Sequence, residues 1–247
     1  MAQPLPAVRH HAPGLNLSSP RETPAVRRRS NPKLPRRYSR LVSSDPRTPR
    51  RLVLVRHGES AWNELKLVQG QSGGVPLTAR GIEQARSVAD TLGQYRFDSI
   101  LSSDLDRARQ TATVLSDALG LDVIVIPALR ERSFGVFEGG PLADLPSSLS
   151  GISQGVVVDD QARPPGGESL REVHARIAGL LEQLRDEPGG QRRLLVTHGG
   201  AIRAIRAYCA GVTMQNLVWD AVENCSVWTV EVPREGPTRS GRDPSAS

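Results

Sequence analysis

Two histidines stand in the same arrangement, each after an apolar run and before a glycine. His57 follows the apolar residues of LVLVRHG (52–58), and His198 follows those of RLLVTHGG (193–200). A short apolar run suits a strand buried on both faces, so each histidine marks a point where the chain leaves a sheet. Side chains at such points are available to bind a ligand.

The residues around His57 suit an anion. Arg56 can hold a phosphoryl group through two parallel hydrogen bonds, Gly58 lets backbone approach closely, and Asn63 can donate amide hydrogens. Together they indicate a site for a tetrahedral dianion. Arg-His-Gly on its own is a weak signal, because a lone histidine is more often structural than catalytic.

Short apolar runs alternate with amphipathic segments from residue 51 onward. The apolar runs predict strands at 52–55, 97–103, 122–126, 193–197 and 225–232. Apolar residues at helical spacing predict helices from Thr78, over 105–119, over 169–184 and near 201–209. Ser169 and Glu172 have the spacing of a capping box at the start of the third helix.

This alternation predicts an α/β fold with a mostly parallel central sheet and helices on both of its faces. Ligands of such sheets bind beyond the carboxyl ends of the strands. We therefore expect His57 and His198 at one edge, forming one site. Residues 141–167 are rich in Gly, Pro and Ser without a clear period, which predicts a long and functional excursion over the sheet.

The positive charge of the chain is concentrated at its N-terminus. Residues 1–51 contain 12 Lys/Arg and 2 acidic residues, and the remainder contains 20 and 24, within a total net charge of +6. We predict a disordered basic tail over 1–50, a folded domain over 51–233 and a disordered tail over 234–247. The mildly acidic folded part argues against a nucleic-acid-binding domain.

The basic tail has three interpretations. It could contact nucleic acid or lipid, direct the chain to an organelle, or be an extension without a function. The third is favoured, because prolines interrupt the amphipathic helix that transit segments usually form. We expect no nucleic-acid contact from it.

Other features indicate a soluble cytoplasmic protein. No apolar stretch approaches 18 residues, so we expect no membrane contact. Cys209 and Cys225 fit a reducing compartment and are interpreted as buried, inert thiols. His10 and His11 lack the partners of a metal site, and no metal or cofactor is expected. The sequence leaves open whether the protein forms a homo-oligomer.

Six segments resemble, in the same order, the histidine phosphatase superfamily, which includes phosphoglycerate mutases and many phosphatases. The segments are RHGESAWN (56–63), PLTARGIEQA (76–85), SSDLDRARQTA (102–112), LRERSFGVFEG (129–139), PGGES (165–169) and THGGAIR (197–203). The resemblance covers residues 52–232 and is highly specific.

The resemblance implies a role for each matching residue. It makes His57 the nucleophile that becomes phosphohistidine, and Glu131 the general acid for the leaving group. It places Arg56, Arg107 and His198 in a cationic pocket around the phosphoryl group. Asn63 and Gln69 are further phosphate-binding candidates, as is the Gly199 amide, which with that of Gly200 lies at a predicted helix start. The competing carboxylate, Glu138, is expected to have a loop-forming role.

The same resemblance favours phosphatase over mutase. Family mutases carry a paired arginine and a lysine in an insertion after the acid segment, whereas residues 141–165 contain Arg163 and no lysine. Family mutases typically carry a small hydroxyl residue at the position of Gln69, and the glutamine at this position resembles the phosphatases. The prediction is a metal-independent phosphomonoesterase acting on a small phosphorylated metabolite through phosphohistidine. The alternatives are a 2,3-bisphosphoglycerate-dependent phosphoglycerate mutase and a catalytically weak module that binds a phosphorylated ligand.

Overall fold

The computed structural model describes residues 50–187, 192–217 and 219–234. Within them, the strands are β1 (Arg50–Arg56), β2 (Ser99–Ser102), β3 (Val123–Val125), β4 (Ile152–Ser153), β5 (Val156–Val157), β6 (Arg193–Thr197) and β7 (Val227–Val232). The helices are α1 (Ala61–Glu64), α2 (Ala79–Leu92), α3 (Asp106–Leu119), α4 (Ser147–Ser150), α5 (Leu170–Asp186) and α6 (Gly199–Ala210). None of the helices in these ranges is long and apolar enough to cross a membrane.

Five strands form the central sheet in the order β3-β2-β6-β1-β7. All neighbouring pairs are parallel except β1 and β7, which are antiparallel. The middle strand, β6, is buried along its whole length, as expected for a strand covered on both faces. The mostly parallel α/β sheet predicted from the sequence is confirmed.

Helices cover both faces of this sheet. Successive residues of a strand point to opposite faces, and β6 shows the consequence. Its Leu195 packs in a core cluster with residues of α5 and α6, whereas Leu194 and Val196 pack in a second cluster with residues of α2 and α3. The three-layer arrangement is therefore the predicted one.

Local signals place the helix starts. Thr78 caps α2 by accepting a hydrogen bond from the amide of Gly81, and Ser169 forms the predicted capping box with Glu172. The last helix, α6, begins at Gly199, two residues before the predicted start. The short helix α1 was not predicted, because four residues are too few to show an apolar period.

The excursion at 141–167 contains short regular elements rather than structureless loop. It holds a 3-10 turn, helix α4 and the two-residue strands β4 and β5. The guanidinium group of Arg132 is buried beneath it and donates to the carbonyl groups of Leu149, Ser150 and Ala162. One arginine thus ties the excursion to the segment that carries Glu131. The predicted tails at 1–50 and 234–247 lie almost wholly outside the described residues.

Candidate active site

The two histidines lie side by side at the carboxyl edge of the sheet. They directly follow β1 and β6, which are parallel neighbours with Arg56 paired to Thr197. The amide of His57 donates to the carbonyl of Thr197 at 2.9 Å, which continues the ladder by one residue. The ring centroids of His57 and His198 are consequently 5.1 Å apart. The sheet brings together residues that are 141 positions apart in the chain.

The hydrogen bond of His57 determines which ring nitrogen is free. Its Nδ1 lies 2.7 Å from the carbonyl oxygen of Gly58, which can only accept, so Nδ1 carries the proton. Nε2 is then the unprotonated nitrogen that could act as a nucleophile. Burial, together with the charges of Arg56 and Arg107, holds the pKa of His57 well below its ordinary value. The ring is therefore neutral at physiological pH.

Close packing holds the His57 loop against α2. Gly58 donates its amide to the hydroxyl of Thr111, and a Cβ atom at Gly58 would lie 2.4 Å from the carbonyl oxygen of Gly81. The sequence predicted a close backbone approach at Gly58 for an anion, which stays a prediction. The approaching group in the structure is the backbone of α2.

Two arginines flank the histidines. Arg56 donates to the carbonyl of Val222, and Arg107 donates to the carbonyls of Gly70 and Ser72. Neither forms an ion pair with a carboxylate among the described residues, although the charge of Glu131 acts on both. Burial lowers the pKa of Arg107 to about 10, and both side chains remain cationic at neutral pH. They form a positive wall around the imidazoles.

Several buried nitrogens at this edge have no hydrogen-bond partner within the described part of the chain. They are Nδ1 of His198 and the Nε atoms of Arg56 and Arg107. A buried donor without an acceptor costs about 1–3 kcal/mol, so such groups are usually satisfied by a ligand or by water. The oxygens of a phosphoryl group are acceptors of the required kind.

Ser103 contacts the other nitrogen of the His198 ring. Its hydroxyl oxygen lies 2.9 Å from Nε2 and accepts a hydrogen bond from the amide of Leu105. If the hydroxyl donates to Nε2, Nδ1 carries the ring proton and can donate to an anion. His198 is completely buried, and burial, with the charges of Arg107 and His57, holds its pKa well below the ordinary value.

The side chain of Glu131 lies at the N-terminus of α6. Its Oε2 accepts from the amide of Gly200 at 3.0 Å, and its Oε1 accepts from the amide of Arg132 at 2.8 Å. Because Gly200 lies two residues after His198, this contact brings the carboxyl group to the same edge of the sheet. The amide of Gly200 was a candidate hydrogen-bond donor to a bound anion, but in the structure it donates to Glu131. The Gly199 amide remains at the helix N-terminus, where anions are favoured.

Glu138 joins two loops, in agreement with its expected loop-forming role. Its carboxylate accepts four hydrogen bonds, from the amides of Gln71 and Phe134 and from the hydroxyls of Ser72 and Ser133. With all these donors in place, the carboxylate serves to connect the loop at 69–72 to the loop at 131–138.

Asn63 and Gln69 lie on either side of Ser60. The side chain of Asn63 closes a capping box with Ser60, and its Oδ1 also accepts from Asn224. Oε1 of Gln69 lies 2.7 Å from the Ser60 hydroxyl. Their oxygens are thus used within the protein, so a phosphate contact from either residue would come from its amide nitrogen.

Sequence reasoning missed the residues whose hydrogen bonds fix the backbone of His57 and Glu131. Asn224 donates to the carbonyl of His57 as well as to Asn63. Arg176 donates to the carbonyl of Glu131 and to both carboxylate oxygens of Glu168. Arg176 occupies the apolar stripe of α5, and a cation at such a position was an available signal. Asn224 lies in a loop without a motif and offered none.

The carboxylate of Glu168 is engaged in hydrogen bonds within the protein. Burial raises the pKa of its carboxyl group, but hydrogen bonds from Arg176 and the Ser133 amide outweigh this effect and the pKa is lowered. Gln71 bridges the side chain of Glu168 and the carbonyl of Glu131. Glu168 therefore stabilises the backbone that carries Glu131.

The other histidine and the two cysteines have structural surroundings, and Cys225 borders the site, because its amide donates to the carbonyls of Arg56 and His57. His174 packs against the ring of Tyr208 at 6.5 Å, consistent with a packing role. Cys209 and Cys225 are free thiols, and burial raises the pKa of each to about 12. Both thiols are therefore protonated and unreactive, as expected. No group of three potential metal ligands occurs among the described residues.

Two buried histidines and two arginines at the carboxyl edge of an α/β sheet are groups suited to phosphoryl transfer. The model of the histidine phosphatase superfamily (branch 1) matches residues 52–241. The chain belongs to this superfamily.

Relatives within the superfamily have different names. A protein of Yersinia pestis (strain Pestoides F) called probable phosphoglycerate mutase GpmB is 38% identical over 181 residues, covering 73% of this chain and 84% of that protein. The structure of mycobacterial glucosyl-3-phosphoglycerate phosphatase with VO3 has a TM-score of 0.64 at 32% identity, covering 73% and 90% of the two chains. Phosphoserine phosphatase of Entamoeba histolytica with 3-phosphoglyceric acid has a TM-score of 0.62 at 28% identity, covering 72% and 89%.

Proposed function

We propose that the protein is a phosphomonoesterase that hydrolyses a small phosphorylated metabolite through a phosphohistidine. The observation that carries the proposal is the pairing of His57 and His198 at 5.1 Å beside the buried Arg107 and the half-buried Arg56, whose Nε atoms have no hydrogen-bond partner among the described residues. A phosphoryl group supplies the negative charge and the acceptors that this cluster lacks. Names of solved relatives, two of which are called phosphatases, support the same reaction class.

The first step transfers the phosphoryl group to His57. Nε2 attacks phosphorus, and the bond between phosphorus and the ester oxygen breaks. Arg56, Arg107 and His198 stabilise the charge on the equatorial oxygens. Glu131, when protonated, gives its proton to the departing oxygen, so the alcohol leaves neutral. The guanidinium groups supply the charge neutralisation, so the proposal needs no metal ion.

The second step regenerates the enzyme. The Glu131 carboxylate now accepts a proton from water while the water oxygen attacks the phosphohistidine. The bond from Nε2 to phosphorus breaks, inorganic phosphate leaves, and Glu131 is protonated again. The hydrogen bond between Nδ1 and Gly58 keeps the ring in one orientation during both steps.

A panel of phosphate monoesters tests this proposal. We expect the purified protein to release phosphate, and His57→Ala to lose at least about 1,000-fold in kcat, since the substitution removes the proposed nucleophile. His174→Gln is the matched control, because this histidine lies on α5 and packs against the ring of Tyr208. Wild type denatured in alkali during turnover should carry a phosphoryl group that is stable in alkali and lost in acid, and His57→Ala should lack it. Unchanged turnover in His57→Ala would contradict the proposal.

Phosphoglycerate mutase is the second candidate, since the name of the Yersinia relative favours it. The isomerisation would need cations for the substrate carboxylate in addition to the phosphoryl pocket. Arg163, the basic residue of the excursion, donates to the carbonyl of Gly167 and pairs with Glu172 at 3.0 Å. It is therefore engaged elsewhere, which favours the phosphatase. Conversion of 3-phosphoglycerate to 2-phosphoglycerate, stimulated by the bisphosphate and faster than hydrolysis, would reverse this preference.

A binding module without turnover is the remaining alternative. It predicts that phosphorylated ligands bind and that no monoester is hydrolysed. Calorimetric titration with inorganic phosphate or vanadate, alongside the turnover panel, separates it from the phosphatase.

A further inference from the structure

Ser103 and His198 meet at the carboxyl edge of the sheet. Ser103 directly follows β2, and its amide donates to the carbonyl of Val196 at 3.0 Å, which continues the pairing of β2 with β6 by one residue. Ser103 and His198 are both completely buried. The hydroxyl oxygen of Ser103 lies 2.9 Å from Nε2 of His198. Two paired strands therefore hold the serine against the histidine ring.

The hydroxyl oxygen of Ser103 has two hydrogen-bond contacts within the described part of the chain. One is with the amide of Leu105 at 3.3 Å, and because an amide nitrogen can only donate, the oxygen accepts there. The other is with Nε2 of His198, which is thus the acceptor available to the hydroxyl hydrogen. Both contacts are satisfied when the hydroxyl accepts from Leu105 and donates to Nε2.

The other protonation states of the His198 ring leave a buried donor unsatisfied. If Nε2 carried a proton, both neighbours of the Ser103 oxygen would donate to it, and the hydroxyl hydrogen would have no acceptor among the residues that the structure describes. The same is true of a doubly protonated ring. Burial also holds the pKa of His198 well below its ordinary value, which agrees with a ring that carries a single proton.

We propose that Ser103 is a positioning residue that keeps the ring proton of His198 on Nδ1, so that this neutral histidine donates a hydrogen bond to the phosphoryl group. The inference rests on the phosphatase function proposed above. Nδ1 is buried and has no partner within the described ranges, as expected for a donor whose acceptor is a ligand. Ser103 acts through His198 and not on the substrate.

The two histidines then carry their protons on the same ring nitrogen and have opposite roles. In His57, the carbonyl of Gly58 engages Nδ1 and leaves the lone pair of Nε2 for phosphorus. In His198, the hydroxyl of Ser103 engages Nε2 and leaves the proton of Nδ1 for an oxygen of the phosphoryl group. With its proton on Nε2, His198 would present a lone pair to these negative oxygens and repel them.

Nuclear magnetic resonance tests the inference on the free protein. In a long-range proton–nitrogen correlation spectrum, protonated and unprotonated ring nitrogens have different nitrogen shifts, and His198→Gln identifies the signals of His198. We expect the wild type to have a proton on Nδ1 and none on Nε2. Ser103→Ala should lose this single state, because Nε2 no longer has a donor. Ser103→Thr, which keeps a hydroxyl group, should retain it.

Vanadate binding measures the consequence for the site. Ser103→Ala should raise the dissociation constant of vanadate about five- to tenfold, as expected for one hydrogen bond. Ser102→Ala is the matched control, because it removes an equally buried hydroxyl that donates to the carbonyl of Ser103. This control should keep the protonation state of His198 and the affinity of the wild type. Loss of the Leu105 contact alone would lower the thermal midpoint of Ser103→Ala, so the midpoint does not discriminate.

Each outcome decides the inference. A proton on Nδ1 alone in the wild type, lost together with vanadate affinity in Ser103→Ala but not in Ser102→Ala, supports it. A proton on Nε2 in the wild type overturns it, even if no variant folds. An unchanged protonation state or an unchanged affinity in Ser103→Ala also overturns it. Neither measurement needs turnover, so a wild type that meets these expectations but hydrolyses no monoester refutes the proposed function and not the inference.

Discussion

A Cβ atom added to Gly200 would lie 2.1 Å from Oε1 of Glu131. Atoms cannot approach so closely, so the candidate general acid occupies space that any side chain at position 200 would fill. The amide of the same glycine donates to Oε2 at 3.0 Å. Gly200 therefore both makes room for the carboxyl group and orients it, which explains the need for glycine in the first turn of α6.

Substitution of this glycine should separate activity from stability. Gly200→Ala displaces the end of a flexible side chain, and alanine favours the helix, so we expect the thermal midpoint to stay within about 3 °C of the wild type. The value of kcat/KM for an alkyl phosphate should fall at least about tenfold, because the acid is displaced from the leaving oxygen. Calorimetry and steady-state kinetics measure the two effects. Full activity in Gly200→Ala would show that the position of Glu131 is unimportant.

Substitutions of Glu131 and Glu138 should have different signatures. A p-nitrophenolate leaving group needs no proton, whereas an alkoxide does. Glu131→Gln should therefore lower kcat/KM by about 100-fold or more for alkyl phosphates and much less for p-nitrophenyl phosphate. Glu138→Gln removes an acceptor that joins two loops, so it should lower the free energy of unfolding by about 1–2 kcal/mol.

The ratio of kcat/KM for alkyl phosphates to kcat/KM for p-nitrophenyl phosphate distinguishes the role of Glu131 from that of Glu138. Any loss of activity in Glu138→Gln should be equal for alkyl and aryl phosphates. If Glu138→Gln instead showed the dependence on leaving group, the assignment of the general acid would move to Glu138.

Stability should depend on pH through the buried histidines. The pKa values of His57 and His198 lie well below that of an unfolded histidine, mainly because of burial. Below about pH 6.5 the unfolded chain gains protons that the folded chain does not, so the free energy of unfolding falls as the pH falls. Each histidine contributes about 1.4 kcal/mol per pH unit in this range.

Urea denaturation between pH 7.5 and 5.5 measures this dependence. His57→Gln should reduce the slope below pH 6.5 by about 1.4 kcal/mol per pH unit. Equal slopes for wild type and variant would mean that folding does not lower the pKa of His57.

Anions should stabilise the wild type through Arg107. Its guanidinium group is buried beside the two imidazoles without a carboxylate partner in the described chain, so a bound oxyanion should supply the missing charge. At 100 times its dissociation constant, vanadate should stabilise the protein by about 2.7 kcal/mol and raise the thermal midpoint by several degrees. At the same vanadate concentration, Arg107→Met should lose most of this increase. A variant that keeps the full increase would place the anion elsewhere.

The elements of the fold could be predicted from local sequence. Apolar runs mark strands, apolar spacing marks α2, α3 and α5, and the Ser169–Glu172 pair marks a helix start, because these signals depend on neighbouring residues. The edge that carries His57 and His198 also followed, since the carboxyl ends of parallel strands share one edge. The motif resemblance supplied the expected roles of these histidines and of Glu131.

Other relationships depended on the tertiary structure. The sequence alone shows neither that Glu138 joins two loops nor that Arg206 pairs with Asp220. Both facts depend on contacts between segments that are distant in the chain, such as α6 with residues 219–220. Local patterns determine which residues are buried and which elements form, because burial and hydrogen bonding within an element are local. Which acidic side chain lies near which basic one depends on the distances between elements, so only the tertiary structure determines it.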